Sequence, residues 1–137
     1  MNREAVLKFL QGILQDILCH SNIISEISEI ITAGGVEKRF FTLLVTRLRQ
    51  LSQLGVDAIK LEEFENIGGG LYSLHLSGKG FNIRILYSFL SERQPVLLLA
   101  FYERAGKAKT NYSPYIQPAK DRLQEMKEEI LNGSYKI

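Results

Sequence analysis

Val6, Leu7, Phe9, Leu10, Ile13, Leu14, Ile17 and Leu18 recur at three- and four-residue spacing, which predicts a first helix with a broad buried stripe. Ile23, Ile24, Ile27, Ile30 and Ile31 repeat that spacing in a second, shorter helix, which Gly34-Gly35 should end. A third helix, from about residue 36 to residue 54, places Phe40, Phe41, Leu44, Leu48 and Leu51 on one face, with Gly55 as its C-cap. Lys38, Arg39, Arg47 and Arg49 fall mostly off that face and read as solvent contacts.

The period then changes from 3.6 to 2. Ile59-Lys60-Leu61 reads as a short strand or an irregular link. Residues 71–76 alternate, with Tyr72, Leu74 and Leu76 on one side and Ser73 and His75 on the other. Residues 81–90 alternate too, setting Phe81, Ile83, Ile85, Tyr87 and Phe89 against Asn82, Arg84 and Ser88. Between them Ser77-Gly78-Lys79-Gly80 has hairpin-turn chemistry. Residues 96–102 are apolar throughout, as in a strand covered on both faces. Ser113-Pro114 supplies an N-cap and an N1 proline for a last helix that carries Ile116, Ala119, Leu123, Met126 and Ile130 and stops at Asn132-Gly133. The expected architecture is α+β: N-terminal helices packed on an antiparallel β meander, with a C-terminal helix, in a single domain over residues 1–137.

Composition narrows the class without naming a function. The 137 residues are 45% hydrophobic and 23% charged, an ordinary globular balance. No apolar run approaches the ~20 residues that cross a bilayer, and Arg3, Glu4, Lys8 and Asp16 argue against a secretory signal, so a cytoplasmic protein is expected. Cys19 is the only cysteine, which excludes an intramolecular disulfide and a multi-cysteine zinc site. Charge is uneven. Residues 1–66 hold 7 Lys/Arg against 9 Asp/Glu, residues 67–137 hold 10 against 6, and residues 79–120 hold 7 against 2. A basic stretch of this kind suits a polyanion such as RNA, although a solvated basic loop would read the same way.

Two places could carry chemistry. A four-residue turn at 77–80 would set Leu76 opposite Phe81, His75 opposite Asn82 and Ser73 opposite Arg84, leaving His75 and Arg84 as diagonal neighbours on a polar face that is open or only partly covered. The second place is the link from Glu103 to Tyr115, where Arg104, Lys107 and Lys109 interleave with Tyr112 and Tyr115. Cations and stacking surfaces in alternation suit single-stranded RNA. Other candidates carry less. Two histidines without matched carboxylates make no metal pattern, and His20 reads as structural. Gly68-Gly69-Gly70 lacks the lysine and helix of a nucleotide-binding loop, and Cys19 lacks a positive activator.

The strings GGGLYSLHL (68–76), FNIRILYSF (81–89) and VLLLAFYERAGKAKT (96–110), followed by an amphipathic helix, resemble phage-derived HigB-like toxins of the RelE/ParE superfamily. The resemblance covers about residues 36–131, and residues 1–35 read as an atypical helical extension in place of the usual short N-terminal strand. It implies a RelE-like fold and a type II toxin that cleaves mRNA in the ribosomal A site until a cognate antitoxin binds it. Arg84 falls on the strand arginine that contacts the scissile phosphate, His75 on a basic strand position and Ser73 on a position often charged. Lys107 and Lys109 fall in the lysine-rich link, Tyr112 supplies the phenol, and Glu103 stands where lysine is common. The implied catalytic set is His75, Arg84, Lys107 and Tyr112, with Ser73, Asn82, Arg104, Lys109 and Tyr115 as RNA contacts and no metal or other cofactor. The implied partners are the antitoxin, the ribosome and mRNA, with no membrane, and homodimerisation is left open. A ParE-like or phage-derived inhibitor of a host protein such as DNA gyrase is the alternative. A toxin whose N-terminal helices cover its own site is a third reading.

Overall fold

Spacings of three and four become helices in the N-terminal part of the computed structural model, which describes residues 3–15, 17–32, 37–91, 94–103 and 110–133. Helix α1 (Arg3–Leu14) buries Val6, Leu10 and Leu14. It stops earlier than its periodicity predicts. The Ile17 N–H bonds the Leu14 carbonyl at 3.1 Å, and Leu18–Cys19 then form strand β1 beside Val96–Leu97. Tertiary pairing outweighs a helical pattern here, in a segment whose β-branched Ile17 is a weak helix former. Helices α2 (Ile23–Thr32) and α3 (Glu37–Leu54) follow, and Gly55, at φ +56°, turns the chain into a 3₁₀ helix (Gly55–Lys60) where a strand or link is expected.

Strand β2 (Phe64–Gly68) has no counterpart in the sequence reading, while β3 (Leu71–Gly78), β4 (Phe81–Ser91), β5 (Gln94–Tyr102) and helix α4 (Ser113–Leu131) lie where expected. The sheet order is β1-β5-β4-β3-β2, a meander with β1 added in parallel at one edge. The β3–β4 turn is shorter than Ser77–Gly80. Gly78 pairs with Phe81, so only Lys79-Gly80 turn the chain, with Gly80 at φ +93°. Leu76 therefore faces Ile83 instead of Phe81, and His75 faces Arg84 directly instead of Asn82. A slip of two residues keeps every side chain on its face, so the sidedness read from the sequence holds. From α3 the Arg39 Nη2 donates to the Lys79 carbonyl at 2.8 Å, which ties the turn to the helical layer.

The sheet is covered on both faces. One core joins Leu10, Leu14, Ile23, Ile27, Phe40 and Leu44 of the helices to Leu74, Leu76, Ile83, Ile85 and Tyr87 of the sheet. Each fully buried side chain of this size contributes roughly 1.5–3 kcal/mol by leaving water. The second core lies beneath α4, where Ala119 and Met126 meet Leu71, Leu86, Leu98 and Phe101. Helix α4 thus closes much of the face expected to stand open, and the polar residues near the hairpin are what remains. Residues 3–32 contribute to the first core, on the face opposite that polar cluster. Around the β5 edge, Arg122 of α4 donates to both carboxylate oxygens of Glu26 on α2, at 2.8 and 2.7 Å. His20, just beyond β1, is buried with its Nε2 2.7 Å from Glu125 of α4. Among the described residues, no helix is long and apolar enough to cross a membrane.

Candidate active site

Two cross-strand rows build a polar cluster on the α4 face. Glu65, Ser73 and Leu86 line up across β2, β3 and β4, and His75, Arg84 and Phe101 line up across β3, β4 and β5. The rows continue into the chain beyond β5. The Glu103 N–H bonds the Asn82 carbonyl at 2.8 Å, which brings Glu103 alongside the hairpin. Tyr112, at the start of α4, then comes over the same face, its ring packed edge-on against Phe101 and 6.0 Å from the Arg84 guanidinium carbon. That distance is within cation–π range.

Most of the hydrogen bonds form one network around Glu103 and Asn82, and the Tyr112–Glu65 bond lies beside it. Arg84 Nε donates to Glu103 Oε2 at 2.5 Å, and Thr110 donates to Glu103 Oε1 at 2.8 Å. The Asn82 amide nitrogen donates to the Glu103 carbonyl at 3.1 Å, and its oxygen lies 2.5 Å from His75 Nε2. Tyr112 donates to Glu65 at 2.7 Å. Arg84 and Glu103 are 14% and 13% exposed, enough desolvation for their charges to matter. Burial pushes the Glu103 carboxyl up, yet hydrogen bonds from Arg84 and Thr110, with the nearby Arg84 and His75 charges, hold it below its ordinary value. Burial raises the Tyr112 phenol, helped by Glu65 and opposed by Ser73 and Arg84, to about 12. The phenol therefore keeps its proton at neutral pH. Together the groups offer a fixed cation, an imidazole and a protonated phenol within one cluster, the parts required to hold a phosphate and move protons.

The expected site residues divide accordingly. His75, Arg84 and Asn82 come together in the network, and Tyr112 lies over Arg84 beside it. Ser73 sits among them but is fully buried, so it offers RNA no surface. Tyr115 spends its stacking face on Phe101, at 3.8 Å and nearly parallel. Both ends of the Asn82 amide make a hydrogen bond inside the protein. Arg104, Lys107 and Lys109 lie outside the described residues. Arg47 also departs from its reading as a solvent contact, pairing with Glu63 at 3.3 Å. Three members went unread as a group: Glu65, Glu103 and Thr110. Glu65 sits on the missed strand, and its register with Ser73 is the signal that would have exposed it. Among the described residues, no group of three His, Cys, Asp or Glu side chains could hold a metal ion. No protein-family model matches the chain, and no curated protein is significantly similar to it.

Proposed function

We propose that the protein is a RelE/ParE-type toxin that cuts mRNA on the ribosome, with the ribose 2′-oxygen attacking the adjacent phosphorus to leave a cyclic phosphate and a 5′-hydroxyl. The observation that carries this reading is the direct pairing of His75 with Arg84 across β3 and β4, with Tyr112 over the guanidinium. Arg84 holds the phosphate oxygens as charge builds on them, and His75 takes or gives a proton beside it. Strand β1 adds support, because it supplies the short N-terminal strand that the helical reading of residues 1–35 lacks. A cognate antitoxin that covers this face, and a cytoplasmic site of action, belong to the same reading.

The test is mRNA mapping in a translation extract with purified protein. Wild type gives codon-spaced cuts that need ribosomes, and His75→Ala combined with Arg84→Ala reduces cutting by about 100-fold or more, circular dichroism verifying the fold. Undiminished cutting by the double variant removes the assignment. Gyrase inhibition without cuts favours the host-protein inhibitor instead.

A further inference from the structure

The Asn82 amide settles which nitrogen of His75 carries the proton. Its nitrogen faces the Glu103 main-chain carbonyl at 3.1 Å, and a carbonyl oxygen can only accept, so the amide cannot be turned the other way without setting two acceptors against each other. That leaves the amide oxygen against His75 Nε2 at 2.5 Å, and this oxygen too can only accept. Nε2 must therefore be the N–H. A neutral imidazole has one N–H, so Nδ1 is the bare nitrogen, and among the described residues it has no hydrogen-bond partner. The Glu103 carbonyl is itself held in place, since the same residue's N–H bonds Asn82 and its carboxylate is tied to Arg84 and Thr110.

We infer that Asn82 is a positioning residue that fixes His75 as the Nε2–H tautomer and leaves Nδ1 to take the proton of the attacking 2′-hydroxyl. This rests on the nuclease reading above for the identity of the proton, though not for the tautomer. In the step itself the 2′-oxygen forms its bond to phosphorus as its proton passes to Nδ1. The bond from phosphorus to the 5′-oxygen breaks, its electron pair leaves with that oxygen, and the oxygen takes a proton from water. The imidazolium returns its extra proton to solvent.

Long-range nitrogen–proton correlation spectra of the full chain, labelled with nitrogen-15 and recorded where the imidazole is neutral, test the assignment directly. The expected spectrum has the His75 proton on Nε2, in slow exchange with water, and a bare Nδ1. In Asn82→Ala that proton exchanges at least about tenfold faster, and ribosome-dependent cutting slows about tenfold in kcat with KM unchanged. A proton on Nδ1, exchange unaltered by Asn82→Ala, or an Asn82→Ala protein that cuts at the wild-type rate overturns the inference. If Asn82→Ala does not fold, the wild-type spectrum alone decides the tautomer. A wild type with the expected spectrum and no cutting at all ends the nuclease reading while the tautomer stands.

Discussion

Glu103 puts a negative charge beside the guanidinium that a phosphate would need, and its contacts explain how both can coexist. The carboxylate takes the Nε side of Arg84, while the terminal nitrogens make no hydrogen bond among the described residues. An arginine held at Nε keeps its terminal fork for bidentate contact with an anion. Arg84→Ala should cost about 2–3 kcal/mol of stability in urea unfolding, because it leaves a carboxylate that is largely desolvated without its counter-charge. The pH dependence has a definite sign. Glu103 titrates below its ordinary 4.5 when folded, so its contribution is present above that pH and is lost as pH falls from there through the lowered folded value. Glu103→Gln should accordingly flatten the loss of stability below pH 4.5 seen in acid titrations of the wild type. Tyr87 makes a contrasting case. Its hydroxyl is buried with no hydrogen-bond partner among the described residues, so Tyr87→Phe should raise stability by about 1 kcal/mol in the same urea assay.

At the scale of elements, periodicity carried most of the fold. The long helices and β3, β4 and β5 repeat their spacing over enough residues to be read directly. Strand β1 was not legible because it has two residues and sits in a run that fits a helical stripe. Strand β2 was not legible because Glu65 and Asn66 are exposed and interrupt any alternation. The turn failed differently: each of Ser77, Gly78, Lys79 and Gly80 suits a turn, and local chemistry cannot choose between loops of two and four residues. Packing chooses. A Cβ at Gly78 would lie 2.7 Å from the Phe81 ring, which itself packs edge-on against Phe40. Gly78→Ala should therefore cost about 1–3 kcal/mol, read as a shift in the urea midpoint. His75 and Arg84 were legible as neighbours since their faces survive a two-residue slip. The tie between Arg84, Glu103 and Thr110 depends on where the chain goes after β5, which no spacing encodes.

Across the whole molecule, the N-terminal helices are part of the main core. Ile23, Ile27 and Ile31 have no exposed surface, and β1 covers the β5 edge at Val96 and Leu97. The buried residues of α1 and α2 pack on the sheet face opposite His75 and Arg84, which corrects the reading in which these helices cover the site. Deleting residues 1–35 should abolish cooperative unfolding, measured by circular dichroism in urea, and should leave no increase in toxicity.

The clasp between α2 and α4 has a further consequence for how these molecules behave in a crowd. Strand β1 ends at Cys19, so the border of β5 beyond it would be free to recruit a strand from another chain. Glu26 accepts from the Ala100 N–H at 3.2 Å, and Arg122 donates to the Leu98 carbonyl at 3.0 Å, so side chains already satisfy the groups an incoming strand would use. Fibril growth from that border would first have to unseat a half-buried ion pair, which makes two charged residues a guard against self-templating.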